Sequence, residues 1–354
     1  MITARSRLHS LRSRRMAVAT SGFLLLQVLV ACGPAGSGST SPAAAGSAAP
    51  SPLTVGLGFI PSVQFAQFYL AQQAGYYNDA GLQVTFQNKI DPDLVTLVGQ
   101  GTIDVGISDG TSVIPAVSQG IPIRYVATIY AQFPNVVYAK QSSGIRTAAD
   151  LRGRRLGTPG KFGSSWIMLQ ALLGSAGLKP SDLNIDLYPD FGQGAALAQG
   201  AVDAATGFIN NEPVQLELSG TPASILHVDK VVPLPGNGLI AGTRAISAKR
   251  AQLRAFIAAT LRAMREIEAD PQKGLDAAIK TVPALGQDRA GQLAILKATV
   301  ATWSSDYTLA HGEGAIDQAA WATTVTFMAG LPSSPISGTP PPVQQLVDSS
   351  LLPG

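Results

Sequence analysis

The sequence is poor in the residues that build disulfide frameworks and metal centres. Its 354 residues include one cysteine, Cys32, and three histidines, His9, His227 and His311. A single cysteine excludes an intrachain disulfide and a cysteine-based zinc site, and three scattered histidines are too few for a histidine metal cluster. We therefore expect neither a metal nor a cofactor.

Charged residues are scarce as well, and the excess of basic over acidic side chains is confined to the start of the chain. Charged side chains make up 13% of the residues, and the formal net charge is +3. Five arginines precede residue 32, where no acid occurs: Arg5, Arg7, Arg12, Arg14 and Arg15. The remainder has 25 − 5 = 20 basic and 22 acidic side chains, a net charge of −2. The body therefore lacks the excess of basic side chains with which proteins bind the phosphate backbone of nucleic acids. A hydrophobic fraction of 46% excludes bulk disorder, and the length suits about two domains.

The N-terminus has the pattern of an export signal. Its arginines come first, residues 16–30 are mostly apolar, and a small residue precedes Cys32. This apolar run is shorter than the ~20 residues that span a bilayer, so residues 1–31 are predicted to be a signal peptide. The sequence LVAC at residues 29–32 resembles the bacterial lipobox, which implies cleavage before Cys32 and lipid attachment to it. An ordinary secreted protein is the alternative, and a pair of adjacent arginines leaves the twin-arginine route of export open.

A segment of low complexity follows the cysteine. Residues 33–52 consist entirely of Gly, Pro, Ala, Ser and Thr. Such a composition buries too little apolar surface to offset the entropy of ordering, so residues 32–52 are predicted to be an acylated cysteine and a disordered linker. No later segment has 18 uninterrupted apolar residues. We therefore expect a globular body held beside a membrane by its lipid.

The body alternates between strand and helix patterns. Strands are predicted over residues 53–60, 82–87, 103–108, 123–130, 136–140, 155–158, 184–188, 204–208, 224–228 and 238–246. Helices are predicted over residues 64–74, 91–98, 111–118, 164–176, 193–199, 212–218, 249–268 and 287–303. This order is typical of an α/β fold with mainly parallel sheets, completed by C-terminal helices.

The two α/β blocks share a short motif. LVGQGTIDV at residues 97–105 is echoed by ALAQGAVDA at residues 196–204. In each copy a helix is predicted to end at a glycine, Gly101 or Gly200, because glycine readily adopts the left-handed conformation that ends helices. The echo favours two similar lobes over a coincidence among common residues.

Four segments together carry a family resemblance. They are FIPSVQF at 59–65, AGYYNDAGLQV at 74–84, GTIDVG at 101–106 and ADLRGRRLG at 149–157. In this order they resemble the solute-binding proteins of ATP-driven (ABC) importers. The likeness is to the type II periplasmic-binding fold, in the branch of sulfonate, nitrate, thiamine-pyrimidine and riboflavin binders. The resemblance covers about residues 53–305.

The resemblance implies a two-lobed α/β fold with hinge crossovers and C-terminal helices packed on lobe one. It places lobe one at residues 53–143 and 241–330, lobe two at 144–240, and an irregular tail at 331–354. The chain would cross between the lobes near residues 140–147 and 234–245. A small ligand would be held in the cleft between the lobes.

The sequence around the first helix narrows the range of ligands that the resemblance implies. The pattern Phe-x-Pro before an aromatic-rich helix (Phe65, Phe68, Tyr69) is similar to the binders of thiamine-pyrimidine precursors and riboflavin. Related yeast-type enzymes carry a cysteine-rich motif, and this body contains no cysteine. The phosphate-loop and Gly-x-Ser-x-Gly patterns are also absent. We therefore expect a binding protein and not an enzyme.

Candidate ligand-binding residues follow from the position of loops. In open α/β sheets, ligands lie beyond the carboxyl ends of the strands, where helices begin. This rule selects Phe59, Pro61, Gln64, Phe65, Ser108, Asp109, Thr111, Tyr130, Phe133, Phe162, Ser164, Ser165, Trp166, Asn210, Asn211 and Glu212.

These candidates suit a flat ring. Tyr130, Phe133, Phe162 and Trp166 are predicted to provide stacking faces, and Asp109 and Glu212 to accept hydrogen bonds from ring amines or ribityl hydroxyls. The resemblance also places Glu212 at the position of a glutamate of the pyrimidine binders. It remains open at this point whether Asp109 only caps a helix, Glu212 is a surface acid and Trp166 only packs.

The sequence thus predicts a monomeric, lipid-anchored protein on the extracytoplasmic or periplasmic face of a membrane. It would deliver a small aromatic nitrogen heterocycle to an ABC permease and ATPase. A small anion such as a sulfonate, taurine or nitrate is the alternative ligand, which Lys161 and the amides of Ser164 and Ser165 would permit. The sequence also leaves room for a periplasmic enzyme on the same scaffold or for a sensor domain.

Overall fold

The computed structural model of the protein describes residues 49–88 and 93–353. The predicted signal peptide, the lipidation site Cys32 and all but the end of the linker lie outside these residues. Residues 91 and 92, at the start of the helix predicted over 91–98, also lie outside them. The structure describes this helix, α3, from Leu94 onwards.

The body contains ten strands. They are β1 (Ser51–Gly56), β2 (Leu82–Gln87), β3 (Val105–Ser108), β4 (Ile123–Thr128), β5 (Asn135–Lys140), β6 (Arg155–Thr158), β7 (Asn184–Leu187), β8 (Ala204–Phe208), β9 (Ala223–His227) and β10 (Gly238–Gly242). The strands form two five-stranded sheets, with the orders β2-β1-β3-β10-β4 and β7-β6-β8-β5-β9. We call the first sheet and its helices the first lobe, and the second sheet and its helices the second lobe.

Fourteen α-helices are described in the same residues. They are α1 (Ala66–Gln73), α2 (Tyr76–Asp79), α3 (Leu94–Gln100), α4 (Gly110–Ser118), α5 (Gly163–Ser175), α6 (Gln193–Gln199), α7 (Glu212–Leu218), α8 (Thr243–Ala248), α9 (Arg250–Ala269), α10 (Pro271–Thr281), α11 (Arg289–Ala301), α12 (Asp306–His311), α13 (Gln318–Ala329) and α14 (Val343–Leu346). A 3₁₀ turn, Val63–Phe65, precedes α1. The predicted α/β class is confirmed.

Each sheet contains one strand that runs antiparallel to its neighbours, β10 in the first sheet and β5 in the second. In the first sheet β1 pairs in parallel with β2 and β3, whereas β10 is antiparallel to β3 and β4. In the second sheet β6 pairs in parallel with β7 and β8, whereas β5 is antiparallel to β8 and β9. The chain therefore crosses between the sheets twice, after β4 and after β9.

Two details of this crossing differ from the prediction. β5 belongs to the second sheet, so the first crossing precedes residue 135 instead of lying near 140–147. The strand predicted over 238–246 ends at Gly242, because α8 begins at Thr243. The first error arose because an apolar strand pattern indicates burial but does not indicate which strand will be its neighbour.

The echoed motif occupies equivalent places in the two lobes. Gly101 and Gly200 end α3 and α6 with φ angles of 80° and 78°. The aspartate that follows each glycine binds the strand beside it: the Asp104 carboxylate accepts from the Thr54 backbone N–H at 3.0 Å, and Asp203 accepts from Arg155 N–H at 2.9 Å. The predicted similarity of the two lobes is confirmed.

The C-terminal helices complete the first lobe. The apolar stripe of α9 comprises Leu253, Phe256, Ile257, Leu261, Met264 and Ile267, and all six are buried in one cluster with β1, β2 and α1. The tail after residue 330 is mostly irregular, yet it packs on the same lobe, with Leu346 and Leu351 fully buried. Among the described residues, no helix has the length and apolar character needed to cross a membrane.

Candidate functional site

A cavity of about 720 Å³ lies between the two sheets. From the first lobe it is lined by the segment after β1, the turn before α1 and the ends of β3 and β4. Its apolar side chains there are Leu57, Phe59, Phe65, Ile107, Ile129 and Tyr130. Three carboxamides, Gln64, Gln67 and Asn237, complete this wall. The carboxyl ends of the strands therefore form the site, as the general rule for α/β sheets predicts.

The second lobe supplies the opposite wall from the turn before α6, the end of β8 and helices α6 and α7. Its apolar side chains are Phe191, Ala195, Ala198, Phe208 and Leu216, and its polar ones are Asn211, Glu212, Gln215 and Ser219. Phe191 is half exposed and is the one described non-glycine residue with a left-handed backbone, at φ 61°. Such strained positions cluster at binding sites.

The cavity carries little charge. Glu212 is its single carboxylate, and no Lys, Arg or His from the described part of the chain lines it. The walls are otherwise aromatic, aliphatic or neutral polar. This composition suits a neutral, flat ligand that presents several hydrogen-bonding groups.

Glu212 is held at the start of α7 by the strand before it. Its Oε2 accepts a hydrogen bond from the backbone N–H of Phe208 at 2.8 Å. Burial raises the pKa of the Glu212 carboxyl, because desolvation disfavours its charged form. Burial also raises the pKa of Tyr138, with a smaller contribution from the Glu212 charge. Glu212 is therefore a partly desolvated acceptor and not a solvated surface acid.

The lobes touch through a hydrogen bond between Asp109 and Ser164. Asp109 caps α4, since its carboxylate accepts from the Ser112 N–H at 3.0 Å and the Thr111 hydroxyl at 2.6 Å. The same carboxylate accepts from the Ser164 hydroxyl of α5 at 2.5 Å. Asp109 is thus both a helix cap and a contact between the lobes.

A second contact lies at Asn210, which is fully buried. Its Nδ2 donates to Oε1 of Gln64 at 3.0 Å and to Oγ1 of Thr299 in α11 at 2.8 Å. The Tyr130 hydroxyl lies 3.4 Å from the same nitrogen. Val214 of α7 packs against the apolar core of the first lobe beside this contact. Asn210 therefore bridges the lobes and does not itself line the cavity.

The structure brings six of the predicted residues together at the cavity. They are Phe59, Gln64, Phe65, Tyr130, Asn211 and Glu212. The remaining ten do not line it: Pro61, Ser108, Asp109, Thr111, Phe133, Phe162, Ser164, Ser165, Trp166 and Asn210. A direct role of these ten in binding stays a prediction.

Three of the four predicted stacking faces are placed elsewhere. Phe133 is buried in the second-lobe core, Trp166 packs against that core, and Phe162 is 75% exposed. Ser165 donates to Oδ1 of Asn135 within its own lobe at 2.8 Å. Phe133, two residues before β5, and Trp166, in the first turn of α5, both face the core of the second lobe, whereas Phe162 in the turn before α5 faces solvent.

Phe191 and Phe208 provide aromatic surface that the sequence pattern did not reveal. Phe208 ends β8, so the rule that selected the neighbouring Asn210 also points to it. Phe191 lies four residues after β7, in a turn that strand and helix patterns do not define. Within the described ranges, no group of three or more His, Cys, Asp or Glu side chains is arranged to hold a metal ion.

A smaller cavity, of about 450 Å³, lies beside the two crossing segments. Asp229, in the segment between β9 and β10, contributes a carboxyl to it. Burial raises the pKa of Asp229 to about 6, against a smaller lowering effect of the hydrogen bond with the Phe133 backbone. In the unfolded chain this carboxyl ionises near its ordinary pKa of 3.8. Asp229 therefore lowers stability as the pH rises from about 4 to 6, since the folded protein retains the proton longer.

We expect Asp229→Asn to stabilise the protein above pH 6 and to leave its stability nearly unchanged near pH 4. The expected gain is about 1 kcal/mol after allowance for partial solvent exposure, or a rise in melting temperature of roughly 2–4 °C. Thermal unfolding of both proteins between pH 4 and pH 8 measures it. If the difference in melting temperature between the two proteins does not vary with pH, the raised pKa of Asp229 is not its cause.

The sequence of this chain is similar to those of known proteins. The model of the NMT1/THI5-like family matches residues 62–274. The chain is 32% identical to the riboflavin-binding protein RibY of Chloroflexus aurantiacus over 355 aligned positions, which cover 96% of this chain and 99% of that protein. The similarity to RibY therefore extends over nearly the whole of both chains.

Two further relatives are more distant. The chain is 27% identical over 257 residues to the 4-amino-5-hydroxymethyl-2-methylpyrimidine phosphate synthase THI13 of Saccharomyces cerevisiae, covering 67% of this chain and 73% of that one. Among solved structures, the periplasmic aliphatic sulphonate binding protein SsuA of Escherichia coli superposes with a TM-score of 0.66 at 18% identity. That superposition covers 84% of this chain and 97% of SsuA, and it supports the two-lobed periplasmic-binding fold.

Proposed function

The chain belongs to the NMT1/THI5-like family, and from this premise we propose that it is the solute-binding component of an ABC importer. It captures riboflavin, or a related flat heterocycle such as a thiamine-pathway pyrimidine, in the cavity between its lobes. The observation that carries the proposal is the large, aromatic and nearly uncharged cavity. The full-length similarity to RibY, whose name describes riboflavin binding, favours riboflavin among these ligands.

The size and lining of the cavity support this ligand class. Its volume of about 720 Å³ lies within the roughly 300–1,000 Å³ of small-molecule sites. Phe59, Phe191 and Phe208 offer ring faces from both lobes, and aromatic faces bury flat rings well. Glu212 and the carboxamides of the lining supply hydrogen-bonding groups for the edge of a ring or a polyhydroxyl chain.

The same cavity disfavours a small anion. A sulfonate or nitrate binds most tightly where several hydrogen-bond donors, cationic or neutral, surround it. Here Glu212 is a carboxylate, and the described lining holds no basic side chain. Lys161, which would permit an anion, lies outside the cavity.

We propose binding and not catalysis as the role of this chain. Some family relatives bear the name of a pyrimidine phosphate synthase, but they are more distant than RibY. The body after Cys32 contains no cysteine, so it lacks a cysteine-rich motif of the kind that yeast-type enzymes carry. Ligand capture would then end in release to a permease after the lobes separate.

We propose that the N-terminal segment holds this activity at a membrane surface. Cleavage before Cys32 and acylation would anchor the protein outside the cytoplasm, and residues 33–52 would let the body reach its permease and ATPase. Metabolic labelling with a fatty acid analogue tests the anchor. The expected result is a labelled wild-type protein and an unlabelled Cys32→Ser protein.

A ligand panel tests the proposed binding. We expect riboflavin to raise the melting temperature, since a ligand at 100 times its Kd stabilises the native state by about 2.7 kcal/mol. Taurine, an alkanesulfonate and nitrate serve as the anionic arm, and the hydroxymethylpyrimidine as the second heterocycle. Stabilisation by an anion and by neither heterocycle would overturn the proposal.

A further inference from the structure

Phe191 differs from the aromatic side chains on the opposite wall of the cavity. Phe65 and Tyr130 belong to the buried core of the first lobe, and Phe59 packs against that core. Phe191 lines the cavity from the second lobe, is 51% exposed and belongs to none of the four apolar clusters of the described residues. Its ring is therefore open to the cavity and is not part of the core of either lobe.

The backbone of Phe191 is strained as well. Its φ is 61°, whereas the other described residues with a positive φ are all glycines. The left-handed conformation costs free energy for a residue that has a Cβ atom. The next residue is a glycine, Gly192, but its φ is an ordinary −79°. The sequence therefore places a phenylalanine at a position where glycine would avoid the strain.

The turn that carries Phe191 is held at both ends by hydrogen bonds to the second sheet. The Tyr188 N–H donates to the Thr158 carbonyl of β6 at 2.9 Å, and Nε2 of Gln193 donates to the Thr206 carbonyl of β8 at 3.2 Å. Within the turn, the Phe191 N–H donates to the Tyr188 carbonyl at 2.9 Å. These bonds fix the turn, and the ring of Phe191 lies where the cavity opens to solvent.

Strain and exposure together distinguish Phe191 from other surface residues. Single exposed apolar side chains are common in proteins and need no explanation. Six other large apolar side chains of the described residues are exposed but do not line the cavity: Ile60, Phe162, Leu187, Leu218, Val231 and Leu309. Phe191 combines exposure, a left-handed backbone and a place in the cavity wall. Both features raise the free energy of the ligand-free protein, and a ligand that covers the ring would lower it.

We infer that Phe191 is a specificity-determining residue, whose ring covers one face of the ligand ring at the mouth of the cavity. The inference rests on the proposed function and narrows it: the ligand carries a fused ring system that extends from the buried wall of the cavity to its mouth. The three fused rings of riboflavin offer Phe191 a larger face than the single ring of a pyrimidine precursor. Attraction between stacked rings increases with the area that is covered.

Substitutions at Phe191 test the inference by calorimetric titration. We expect Phe191→Gly to bind riboflavin about tenfold more weakly than the wild type and to lose less affinity for the hydroxymethylpyrimidine. We expect Phe191→Trp, which keeps an aromatic face, to bind riboflavin as the wild type does. It should also quench the bound flavin's fluorescence more strongly, because an indole in contact with a flavin quenches it.

Leu187→Trp is the matched control for the fluorescence measurement. Leu187 lies in the same lobe four residues earlier, is 52% exposed and does not line the cavity. A tryptophan at this position should therefore leave riboflavin affinity unchanged and add no quenching of the flavin. Equal quenching by Leu187→Trp and Phe191→Trp would overturn the inference.

Thermal unfolding without ligand separates a binding role of the ring from a structural one. Because glycine adopts a positive φ without strain, Phe191→Gly should melt at the same temperature as the wild type or higher. A markedly lower melting temperature would show that the ring stabilises the fold and would overturn the inference. If the wild type binds riboflavin and Phe191→Gly binds it equally well, only this inference fails. If the wild type binds no heterocycle, the proposed function fails with it.

Discussion

Replacing Glu212 by glutamine is expected to weaken riboflavin binding about ten- to a hundredfold. A hydrogen bond to a charged acceptor contributes roughly 1.5–3 kcal/mol, and glutamine keeps the shape of the side chain but removes the charge. The amide oxygen can still accept from the Phe208 N–H, so the start of α7 should be preserved. Calorimetric titration of the wild type and the variant measures the difference.

The pH dependence gives this prediction a second readout. Because burial raises the pKa of Glu212, the carboxyl of the free protein takes up a proton at a higher pH than an ordinary glutamate. Wild-type affinity should therefore fall on the acid side of neutrality, while the affinity of Glu212→Gln should stay level. Glu217→Gln, on the exposed face of the same helix, is the control and should behave as the wild type. Equal affinities at every pH would rule out Glu212 as a ligand acceptor.

Replacing Asn210 by alanine is expected to loosen the contact between the lobes. The substitution removes two hydrogen bonds from Nδ2 and leaves Oε1 of Gln64 and Oγ1 of Thr299 without this donor. Thr299 keeps its own hydrogen bond to the Ile295 carbonyl, so the loss is that of the hydrogen bonds from Nδ2, roughly 0.5–1.5 kcal/mol each. Since apparent affinity falls with the fraction of molecules that hold the closed arrangement, ligand binding should weaken about tenfold or more. Small-angle scattering should show a larger radius of gyration without ligand.

A double-mutant cycle isolates this contact. Asn210→Ala, Thr299→Val and the double variant give the coupling energy of the pair, which we expect to be about 1 kcal/mol or more. Asn184→Ala removes a comparable side-chain bond, to the Gly153 carbonyl, at the exposed edge of the second sheet. This control should leave both affinity and scattering unchanged. A coupling energy near zero would mean that Asn210 does not hold the lobes together.

The bounds of several strands and helices were predicted well, because interactions between residues close in the sequence determine them. The strands β2 and β6 and the helices α6 and α7 have the bounds that hydrophobic spacing and turn residues predicted. The glycines at 101 and 200 end their helices as expected. Periodicity, caps and left-handed glycines act within a few residues, so one sequence suffices to find them.

The site was predicted only in part. The rule that ligands lie beyond the carboxyl ends of strands selected the loops that carry Phe59, Tyr130 and Glu212. It did so because topology alone decides which loops share an edge of the sheet. The rule does not say which side chain of a loop turns inward. Phe133 and Trp166 therefore appeared among the ligand contacts although they belong to a core, and Gln67 was missed because it lies inside a helix.

By itself, the sequence determined that this is an α/β protein of two similar lobes with C-terminal helices, and it indicated a family of solute binders. The tertiary structure decided the sheet to which β5 belongs, the side chains that enter the cavity and the bonds that join the lobes. The physical reason is distance along the chain. Gln64 and Asn210 are separated by 146 residues and meet at 3.0 Å, and such a contact depends on how two separately folded surfaces pack together.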